Sequence, residues 1–414
     1  MMGGMSTAHL SGEPIPPRAP RWLRAIRWTL GGAVLALACA LLGAAVFVAS
    51  HASPPGPSFA WPFRLVQRTN VLVMGLDRTV SDRNPAIVYP VSRTDTLIAV
   101  TFDPRGDRIF ALSVPRDTRA EIPGHGVQKI NAAHAYGGVP LTLRTVENFL
   151  GVPFPYYMEI TERGLVHLID AVGGVTIRID KDLNYDDNWD GLHIHLRKGN
   201  RRLGGMAAME YARFRHDALG DIGRIARQQQ LVNALLAELR RPRVILRAGR
   251  ILRVFREDIH TNLTPEQLIA LAWFGARLPR SHLVTMTLPG RFGASDWIAD
   301  RDKAREVVAR AFYGVDPSLL ARETVDVVAS PEGGADVRAD ALARLTALGV
   351  RVLHLTSGPL PVDVGEPTVV VHRGDPGAAR AVAASLGARL LAREDAAAAA
   401  DLTVVLPPRS PDPR

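Results

Sequence analysis

The longest uninterrupted apolar stretch of the chain lies near its amino terminus. From Thr29 to Ser50 the sequence TLGGAVLALACALLGAAVFVAS carries no charged residue. A helix of about 20 residues crosses the hydrocarbon layer of a bilayer, so this run predicts a transmembrane helix over 29–50. Basic residues precede it, namely Arg18, Arg21, Arg24 and Arg27. Because basic flanks stay on the cytoplasmic side, we expect residues 1–28 to form a cytoplasmic basic tail and everything after Ser50 to lie outside.

A cleaved signal peptide is the alternative interpretation of this run. The apolar core of such peptides is usually about 7–15 residues long, and they end in a small-residue A-x-A cleavage site. No clean A-x-A site directly follows Ser50. We therefore interpret the run as the anchor of a single-pass cell-membrane protein. The Pro/Gly/Ser stretch from Ser53 to Ser58 predicts an extracytoplasmic linker over 51–68.

Beyond the linker, apolar runs of strand length alternate with helical periodicities. The turn sequence Asp103-Pro104-Arg105-Gly106-Asp107 joins two of the runs, which we expect to be antiparallel neighbours. Thr264 and Gln267 are placed to form a capping box at the start of one helix. The predicted strands span 70–76, 96–102, 108–114, 175–179 and 283–288, and the predicted helices span 140–150, 162–171, about 221–239 and 265–276. This alternation is typical of an α/β domain with a sheet covered by helices.

A second, smaller pattern of the same kind begins at Thr324. Strand, helix, strand, strand, helix and strand follow one another as VDVVAS, ADALARLTALG, VRVLHLT, TVVVHR, GAARAVAASLG and LTVVLP. This βαββαβ order predicts a small α/β domain over 324–407. The larger domain is expected to span 69–290, with a connector over 291–323 and a short tail over 408–414.

Composition narrows the class of partner. Lys and Arg outnumber Asp and Glu by 50 to 41, and the formal net charge of +9 suits an anionic partner such as nucleic acid, lipid head groups or phosphorylated carbohydrate. The single cysteine, Cys39, excludes an intramolecular disulfide and a cysteine-based metal site. Because the basic domain is expected outside the cell and carries no helix-turn-helix or RNA-binding signature, we expect no nucleic-acid partner.

Carboxylates near the first two strands are candidate metal ligands. Asp95 lies in SRTDT, where Arg93 shares its face of the strand. Asp82 lies in the loop upstream, and Asp77 follows the first strand directly. Mg²⁺ usually takes one or two protein carboxylates and completes its octahedron with water and substrate phosphate. The alternative is that these acids neutralise neighbouring arginines, and spacing alone favours that interpretation.

Two basic clusters are candidate anion-binding groups. Arg116 and Asp117 follow a strand directly in VPRDT, where the planar fork of an arginine is well placed to bind phosphate oxygens. Lys129 follows in VQKINAAHAYGG, although a surface lysine is usually only solvated. The second cluster is YARFRHDALGDIGRIARQQQ, in which an extended segment and then a helix are expected to present Arg213, Arg215, Arg224, Arg227 and Gln228. The alternative for this cluster is a solvated basic helix face.

Two further motifs are discounted. The segment from Asp186 to Gly191 resembles the start of a calcium loop, but Arg197 stands where the bidentate glutamate is required. His193 and His195 share one face of a strand without an evident third soft ligand, so we expect exposed histidines there rather than a metal site.

Taken in order, six sequence stretches between residues 70 and 239 resemble the LytR-CpsA-Psr family of cell-wall glycopolymer transferases. They are NVLVMGLDR, SRTDT, SVPRDT, KINAAHAYGG, YYMEI with LIDAVGGVTI, and YARFRH with DIGRIARQQQ. The segment 324–407 looks like the LytR carboxy-terminal accessory domain. The resemblance implies an α/β/α fold with a central mixed sheet, in which a hydrophobic tunnel holds a polyprenyl chain and presents its pyrophosphate to Mg²⁺ and arginines. It also implies transfer of the glycopolymer through a phosphodiester bond to a muramic acid hydroxyl of peptidoglycan.

The same resemblance assigns roles to individual residues. It implies Asp95 and Asp82 as metal ligands, with Asp77 as the alternative to Asp82. The implied pyrophosphate-binding residues are Arg93, Arg116, Lys129, Arg213, Arg215, Arg224, Arg227 and Gln228. Phosphoryl transfer needs positioning and charge neutralisation more than a covalent catalyst, so Arg116, Asp95 and Asp117 are the predicted catalytic residues, with either aspartate as candidate base.

Two other functions fit a basic domain behind a membrane anchor. One is a non-catalytic binder of anionic wall polymer, which would bind a lipid pyrophosphate without turning it over. The other is a membrane-linked transcriptional regulator, which would require the carboxy-terminal part of the chain to lie in the cytoplasm.

Overall fold

A computed structural model describes most of the chain beyond residue 58. It covers residues 59–60, 64–76, 94–187, 192–214, 220–239, 241–361, 365–395 and 397–408, all within one compact unit. The predicted transmembrane helix over 29–50 lies outside these ranges, as do Asp77, Asp82, Arg93 and Arg215. No helix within the described ranges is long and apolar enough to cross a bilayer.

Helices and strands alternate along most of the described chain. The strands are β1 (Phe59–Ala60), β2 (Arg64–Leu65), β3 (Thr69–Leu76), β4 (Thr94–Asp103), β5 (Arg108–Val114), β6 (Arg119–Ile122), β7 (Gly126–Lys129), β8 (Tyr156–Thr161), β9 (Val175–Ile179), β10 (Leu183–Asp187), β11 (Leu192–Leu196), β12 (Gly199–Leu203), β13 (Ile259–Thr261), β14 (Leu283–Thr287), β15 (Gly290–Phe292), β16 (Trp297–Ala299), β17 (Thr324–Ala329), β18 (Arg351–Ser357), β19 (Thr368–Val371), β20 (Arg389–Ala392) and β21 (Leu402–Leu406). The α-helices are α1 (Ala132–Leu150), α2 (Glu162–Val172), α3 (Gly205–Arg213), α4 (Gly220–Leu239), α5 (Ala248–Glu257), α6 (Pro265–Arg277), α7 (Arg301–Val308), α8 (Pro317–Arg322), α9 (Gly334–Leu348) and α10 (Pro376–Leu386). Short 3-10 turns lie at Pro242–Arg247, Arg280–His282 and Pro331–Gly333, and a π-helical turn continues α7 over Ala309–Tyr313.

Six strands form the central sheet in the order β13-β8-β3-β4-β5-β14. The sheet is mixed, as expected, because β3, β5, β8 and β14 run in one direction while β4 and β13 run in the other. The hairpin predicted around the Asp103–Asp107 turn is confirmed, with Leu97 paired to Val114 and Asp103 to Arg108. The carboxyl ends of four parallel strands therefore meet the amino end of β4 at one edge of the sheet.

The two faces of this sheet are covered to different extents. On one face the side chains of Leu72, Met74, Leu97, Ala99 and Leu112 are 0% exposed and pack against α1 and α7. Alternate residues of a strand point to the opposite face. On that opposite face Val71 is buried, but most residues are only partly buried, among them Val73, Ile98, Val100, Ala111 and Met158. Helix α6 covers part of it and residues of α2 and α5 pack against Met158, while the rest of this face keeps accessible apolar surface.

The capping box predicted at the start of α6 is confirmed. The Thr264 hydroxyl accepts a hydrogen bond from the Gln267 backbone N–H, and the Gln267 side chain accepts one from the Thr264 N–H. These two bonds satisfy donors that the first turn of a helix otherwise leaves without partners. The helix therefore begins where the sequence places it.

The segment 291–323 is more than the connector that the sequence pattern predicts. It contains β16, α7, the π-helical turn and α8, and both Val308 and Phe312 are 1% exposed within the main core. Phe312 makes edge-to-face contacts with Phe110 and Phe154 at centroid distances of 5.9 and 6.5 Å. Most residues of RDKAREVV are charged, so the sequence does not look like part of a core. Its few apolar residues nevertheless lie on one side of the helix, and this narrow stripe packs inward. The limits of the two domains stay predictions.

The carboxy-terminal sheet has one strand more than predicted. Its order is β18-β17-β21-β19-β20, with buried residues of α9 and α10 in its core cluster. The extra strand β20 pairs in parallel with β19. Its sequence RLLA has no polar alternation and follows a helix-ending glycine, so the pattern does not distinguish it from a loop. The element order is thus βαββαββ.

Polar contacts join α1 to α9, a helix that packs against the carboxy-terminal sheet. Arg344 donates to Glu147 at 2.5 Å, and Asp340 accepts from Arg144 and Asn148 at 2.6 Å each. Gly151, which ends α1 with φ of +69°, lies so close to α9 that an added Cβ would be 2.8 Å from the Arg344 carbonyl oxygen. Glycine is required here both by the left-handed conformation and by the close approach.

Asp103, which ends β4, is a buried carboxylate whose charge stabilises the fold. It accepts a 2.7 Å hydrogen bond from Arg68, and its side chain is 4% exposed. Burial by itself raises the pKa of Asp103, but the hydrogen bond and charge of Arg68, the Gly106 N–H and Arg108 together hold the pKa below its usual value. A lowered pKa in the folded state adds stability above the unfolded pKa of about 3.9, and this stability is lost as the pH falls through the folded pKa.

We therefore expect Asp103→Asn to lower the free energy of unfolding by about 2 kcal/mol at pH 7. The difference from the wild type should shrink as the pH falls below about 4, since the wild-type carboxylate then becomes protonated. Urea titrations of both proteins at pH 7 and at pH 3 measure it. A difference that stays constant over this range would show that the charge of Asp103 is not the cause.

Candidate active site

The charged edge of the central sheet is built by strand register. Leu76 pairs with Thr94 on one side and with Thr161 on the other, so these three residues form a row across three strands. Neighbouring strands lie about 4.8 Å apart, which puts Thr94 and Thr161 about 10 Å from each other. Asp95 and Glu162 are the next residues in the chain, and both therefore belong to this edge.

Arg116 lies at the same edge, at the centre of a network of four charged side chains. Its Nη1 donates to Asp95 Oδ1 at 2.6 Å, and its Nε lies 3.6 Å from Asp117 Oδ2. Lys129 Nζ donates to Asp117 Oδ1 at 2.9 Å. We call Asp95, Arg116, Asp117 and Lys129 the edge network. Two acids and two bases make it neutral overall, and each side chain is 29–38% exposed.

Backbone hydrogen bonds of the following turn hold the edge network in place. The Thr118 hydroxyl and its N–H both donate to the Pro115 carbonyl oxygen, at 2.6 and 2.9 Å. The β6–β7 hairpin then pairs Arg119 with Lys129, which returns the lysine to the turn. The Asn131 N–H donates to the Arg116 carbonyl oxygen at 3.3 Å. Asn131, 15 positions downstream, is thereby brought beside Arg116.

The protonation of Arg116 is secured by its neighbours. Burial alone lowers the pKa of Arg116, but the hydrogen bond from Arg116 to Asp95 and the charges of Asp95 and Asp117 raise the pKa above its ordinary value. Arg116 is therefore charged at neutral pH. The carboxylate of Asp95 thus neutralises Arg116. This is the alternative interpretation that the sequence offers for Asp95.

Arg213 occupies a helix, so the prediction of an extended segment was wrong there. It is the last residue of α3, because GMAAMEYAR is rich in strong helix formers. Its Nε and Nη2 donate to the two carboxylate oxygens of Glu162 at 2.9 and 2.5 Å. Glu162 opens α2 behind its cap Thr161, and sequence reasoning missed it because an acidic residue in a first turn is ordinary.

The remaining basic candidates are not all brought to the edge network. Arg227 is 9% exposed, donates to the Phe214 carbonyl oxygen at 2.6 Å and lies 5.3 Å from the centroid of the Phe214 ring. It therefore packs against the chain that follows α3. Gln228 lies on α4 and is partly buried. The Arg224 side chain, Arg93 and Arg215 lie outside what the structure describes.

The described residues offer one part of the predicted metal site. Among them, no group of three or more His, Cys, Asp or Glu side chains could hold a metal ion by itself. Asp95 presents a 38% exposed carboxylate at the sheet edge, and beside it the buried Thr94 hydroxyl has no hydrogen-bond partner. A Mg²⁺ ion that takes one or two carboxylates, waters and phosphate oxygens fits Asp95, with Asp82 outside the described ranges as the second predicted ligand.

The paired histidines are exposed, as their strand pattern predicts. His193 and His195 lie on β11 and are 53% and 59% exposed. Both ring nitrogens contact Asp186 Oδ1, at 2.8 and 3.1 Å, and the His193 hydrogen bond is the largest of the effects that lower the pKa of Asp186. This cluster stabilises the β10–β11 hairpin. The rest of the calcium-like motif, residues 188–191, lies outside the described ranges.

A family model described as LytR_cpsA_psr matches residues 64–312, which is more than half of the chain. The chain belongs to the LytR-CpsA-Psr family. The matched range contains the edge network and Arg213, and it extends through α7 to Phe312. It therefore includes the core residues of the segment that the sequence pattern assigns to a connector.

Relatives and solved structures agree with this membership. The chain is 35% identical over 201 residues to the polyisoprenyl-teichoic acid–peptidoglycan teichoic acid transferase TagU of Bacillus anthracis. The aligned residues make up 48% of this chain and 62% of TagU. It is 34% identical over 207 residues to the regulatory protein MsrR of Staphylococcus aureus, covering 50% of this chain and 59% of MsrR. The chain thus matches less than two thirds of the length of either relative.

The crystal structure of Bacillus subtilis TagV is similar in fold to more than half of this LytR-CpsA-Psr protein. The TM-score is 0.51 at 28% sequence identity, with 59% of this chain and 97% of TagV covered. The protein gbs0355 of Streptococcus agalactiae gives the same TM-score at 26% identity, with 59% of this chain and 86% of that chain covered. The mixed α/β architecture is therefore that of the family.

Proposed function

We propose that this LytR-CpsA-Psr protein is a phosphotransferase that moves a glycopolymer from a polyprenyl-pyrophosphate carrier to a muramic acid hydroxyl of peptidoglycan. The observation that carries the proposal is that one strand joins a charged edge to an apolar face. Asp95 is the second residue of β4 and its side chain is 38% exposed at the charged edge, whereas Ile98 and Val100 lie on the partly covered face of the same strand. At about 3.4 Å per residue, Ile98 is about 10 Å from Asp95.

A ligand with a charged head and a long apolar tail matches this arrangement. The partly covered apolar face would take the polyprenyl chain, and the edge network would take the pyrophosphate. The name of the TagU relative states a polyisoprenyl-linked donor and a peptidoglycan acceptor, which is the same class of donor and acceptor. Membership of the same family supports the proposal without fixing the identity of the glycopolymer.

The neutral charge of the edge network means that the proposed reaction needs further cations. Because the network is neutral by itself, the negative charge of a pyrophosphate requires further cations. Arg93, Arg215 and Arg224 are the candidate arginines, and Arg213 would join them on releasing Glu162. Asp95 with Asp82 would hold Mg²⁺. When bound, Mg²⁺ would neutralise charge on the phosphate oxygens.

The residues of this chain then have separate tasks. Arg116 and Lys129 would bind phosphate oxygens, and the fork of Arg116 would hold the reacting phosphorus in place. The muramic acid hydroxyl oxygen forms a bond to the sugar-linked phosphorus as the bond to the departing polyprenyl phosphate breaks. Either Asp117 or Asp95 would accept the hydroxyl proton.

The proposal includes a location and an accessory domain. Residues 29–50 would anchor the protein as a single membrane-spanning helix, with the amino terminus in the cytoplasm and the catalytic domain outside. Residues 324–407 would form a LytR carboxy-terminal-like domain. The contacts of Glu147 and Asp340 attach that domain to α1 of the catalytic domain.

Turnover of a defined donor tests the proposal. A fragment that begins after Ser50 is given a polyprenyl-pyrophosphate-linked saccharide and peptidoglycan, and mass spectrometry follows released polyprenyl phosphate and the new muramic acid phosphodiester. We expect both products with Mg²⁺, at least about tenfold less with a chelator, and recovery when Mg²⁺ is restored. Binding without release across several donors would instead support the wall-polymer binder, and full turnover with the chelator would contradict the metal requirement alone.

A further inference from the structure

Helix α6 is apolar on two opposite sides. Its inner side packs Ala270, Leu271 and Phe274 into the core. Its outer side exposes Ile269 by 41% and Trp273 by 64%, and Ala272 and Ala276 are exposed beside them. These four positions are related by i, i+3, i+4 and i+7, so they form one stripe along the helix, which we call the outer stripe. A helix at the surface of a soluble domain ordinarily presents polar residues there.

The first described residues of the chain pack against this same helix. Phe59 and Leu65 are buried in one cluster with Leu271 and Phe274. Eight residues, 51–58, connect Phe59 to the end of the apolar run at Ser50. A fully extended chain of that length spans at most about 30 Å. The end of the domain that carries α6 is therefore the end that a membrane anchor would hold close to a bilayer.

The chemistry around the outer stripe matches a lipid surface. Tryptophan is enriched where acyl chains meet head groups, because its ring is apolar and its N–H is polar. Two exposed arginines lie on the elements that pack together here, Arg64 on β2 and Arg277 at the end of α6. Arg277 Nη2 lies 3.6 Å from Asp107 Oδ1, and its side chain is 44% exposed. Exposed cationic side chains are attracted to anionic lipid head groups.

We propose that the outer stripe of α6 docks on the surface of an anionic bilayer, with Ile269 and Trp273 inserted at the level of the head groups. This inference rests on the proposed function, because a lipid-linked donor has to leave a membrane to reach the protein. Helix α6 also covers part of the apolar sheet face that would receive the polyprenyl chain. Docking through its outer side would place the entrance to that face at the bilayer.

Spin labels on the full-length chain test the docking. The single cysteine is replaced in Cys39→Ser, and a nitroxide is attached at Ile269→Cys, at Trp273→Cys or at Leu355→Cys in protein reconstituted into nanodiscs of phosphatidylcholine and phosphatidylglycerol. Leu355 is the matched control, because it is as exposed as Ile269, at 41%, and lies on β18 of the other domain. We expect the ratio of oxygen to nickel-complex accessibility to be several-fold higher at 269 and 273 than at 355. Equal ratios at all three sites, or dipolar broadening that reports a second copy at α6, would overturn the proposal.

A second measurement separates this proposal from the proposed function. Trp273→Glu should lower transfer from a long-chain donor embedded in nanodiscs by about tenfold and leave transfer from a short-chain, water-soluble donor unchanged. Leu355→Glu should change neither rate. Equal losses with both donors would indicate damage to the fold and contradict the docking role. If the wild type turns over neither donor, the proposed function fails while the spin labels still decide the docking.

Discussion

Arg116→Ala should lower the turnover of a polyprenyl-pyrophosphate donor by about 10²- to 10³-fold, the loss expected when one preorganised donor to a developing charge is removed. Arg116 is the residue at which the edge network converges, since both Asp95 and Asp117 contact its guanidinium. Asp95 and Asp117 also raise the pKa of Arg116 above its ordinary value, so the guanidinium is charged at neutral pH. Single-turnover release of polyprenyl phosphate measures the effect.

Two further variants test whether the planar guanidinium of Arg116, and not only its positive charge, is required. Arg116→Lys should recover only part of the activity, because an ammonium cannot bind two phosphate oxygens with a planar fork. Arg119→Ala is the matched control, since Arg119 is 62% exposed and reaches Asp296 only at 3.7 Å. Full activity in Arg116→Ala, or an equal loss in Arg119→Ala, would contradict a direct role of Arg116.

Phe312→Ala should lower the free energy of unfolding by about 3–5 kcal/mol, because it removes a large side chain from a close-packed core. Phe312 is 1% exposed and contacts two other buried phenylalanines, Phe110 and Phe154. The loss would include the transfer free energy of the ring and the cost of the cavity left behind. Chemical denaturation of the fragment that begins after Ser50 measures it.

The matched control for this prediction is Phe292→Ala. Phe292 is 55% exposed and contacts Trp297 in the β15–β16 hairpin, so its removal should cost well under half as much. A small effect for Phe312→Ala would mean that the π-helical turn is a loosely attached connector after all. A large and equal effect for both variants would indicate that hairpin and turn unfold with the core as one unit.

Local patterns predicted several elements of the larger domain closely and missed others, among them β8 and the helices α3 and α5. Strand β5 and strand β9 have the predicted bounds, and the proline–glycine turn fixed the hairpin between β4 and β5. The register of that hairpin also accounts for one contact of the edge network, between Asp95 and Arg116. Since Leu97 pairs with Val114, continuing the ladder by two residues places position 95 opposite position 116. The Asp95–Arg116 contact could therefore have been predicted from the hairpin register, although the spacing of the two residues along the chain did not indicate it.

Other parts of the site depend on contacts between distant segments. Lys129 reaches Asp117 only because the β6–β7 hairpin folds back, and Glu162 meets Arg213 across 51 residues of chain. Arg213 and Arg215, two apart in YARFRH, are expected on an extended segment, whereas the preceding Ala, Met and Glu residues continue a helix to Arg213. Helix propensity prevailed there, because the buried side of α3 packs Ala208 and Tyr211 into a core that the pattern alone does not show.

The hydrogen bond between Arg116 and Asp95 gives the site an internal competitor for anions. A phosphate that takes the Nη1 position of Arg116 would have to displace a carboxylate that the protein itself holds at 2.6 Å. Small free anions, such as inorganic phosphate, gain little from this exchange because they bring no other contacts. A ligand that also buries a long hydrocarbon tail gains additional binding free energy in proportion to the apolar area covered. Under the proposed function, the Arg116–Asp95 salt bridge would therefore favour lipid-linked phosphates over soluble ones.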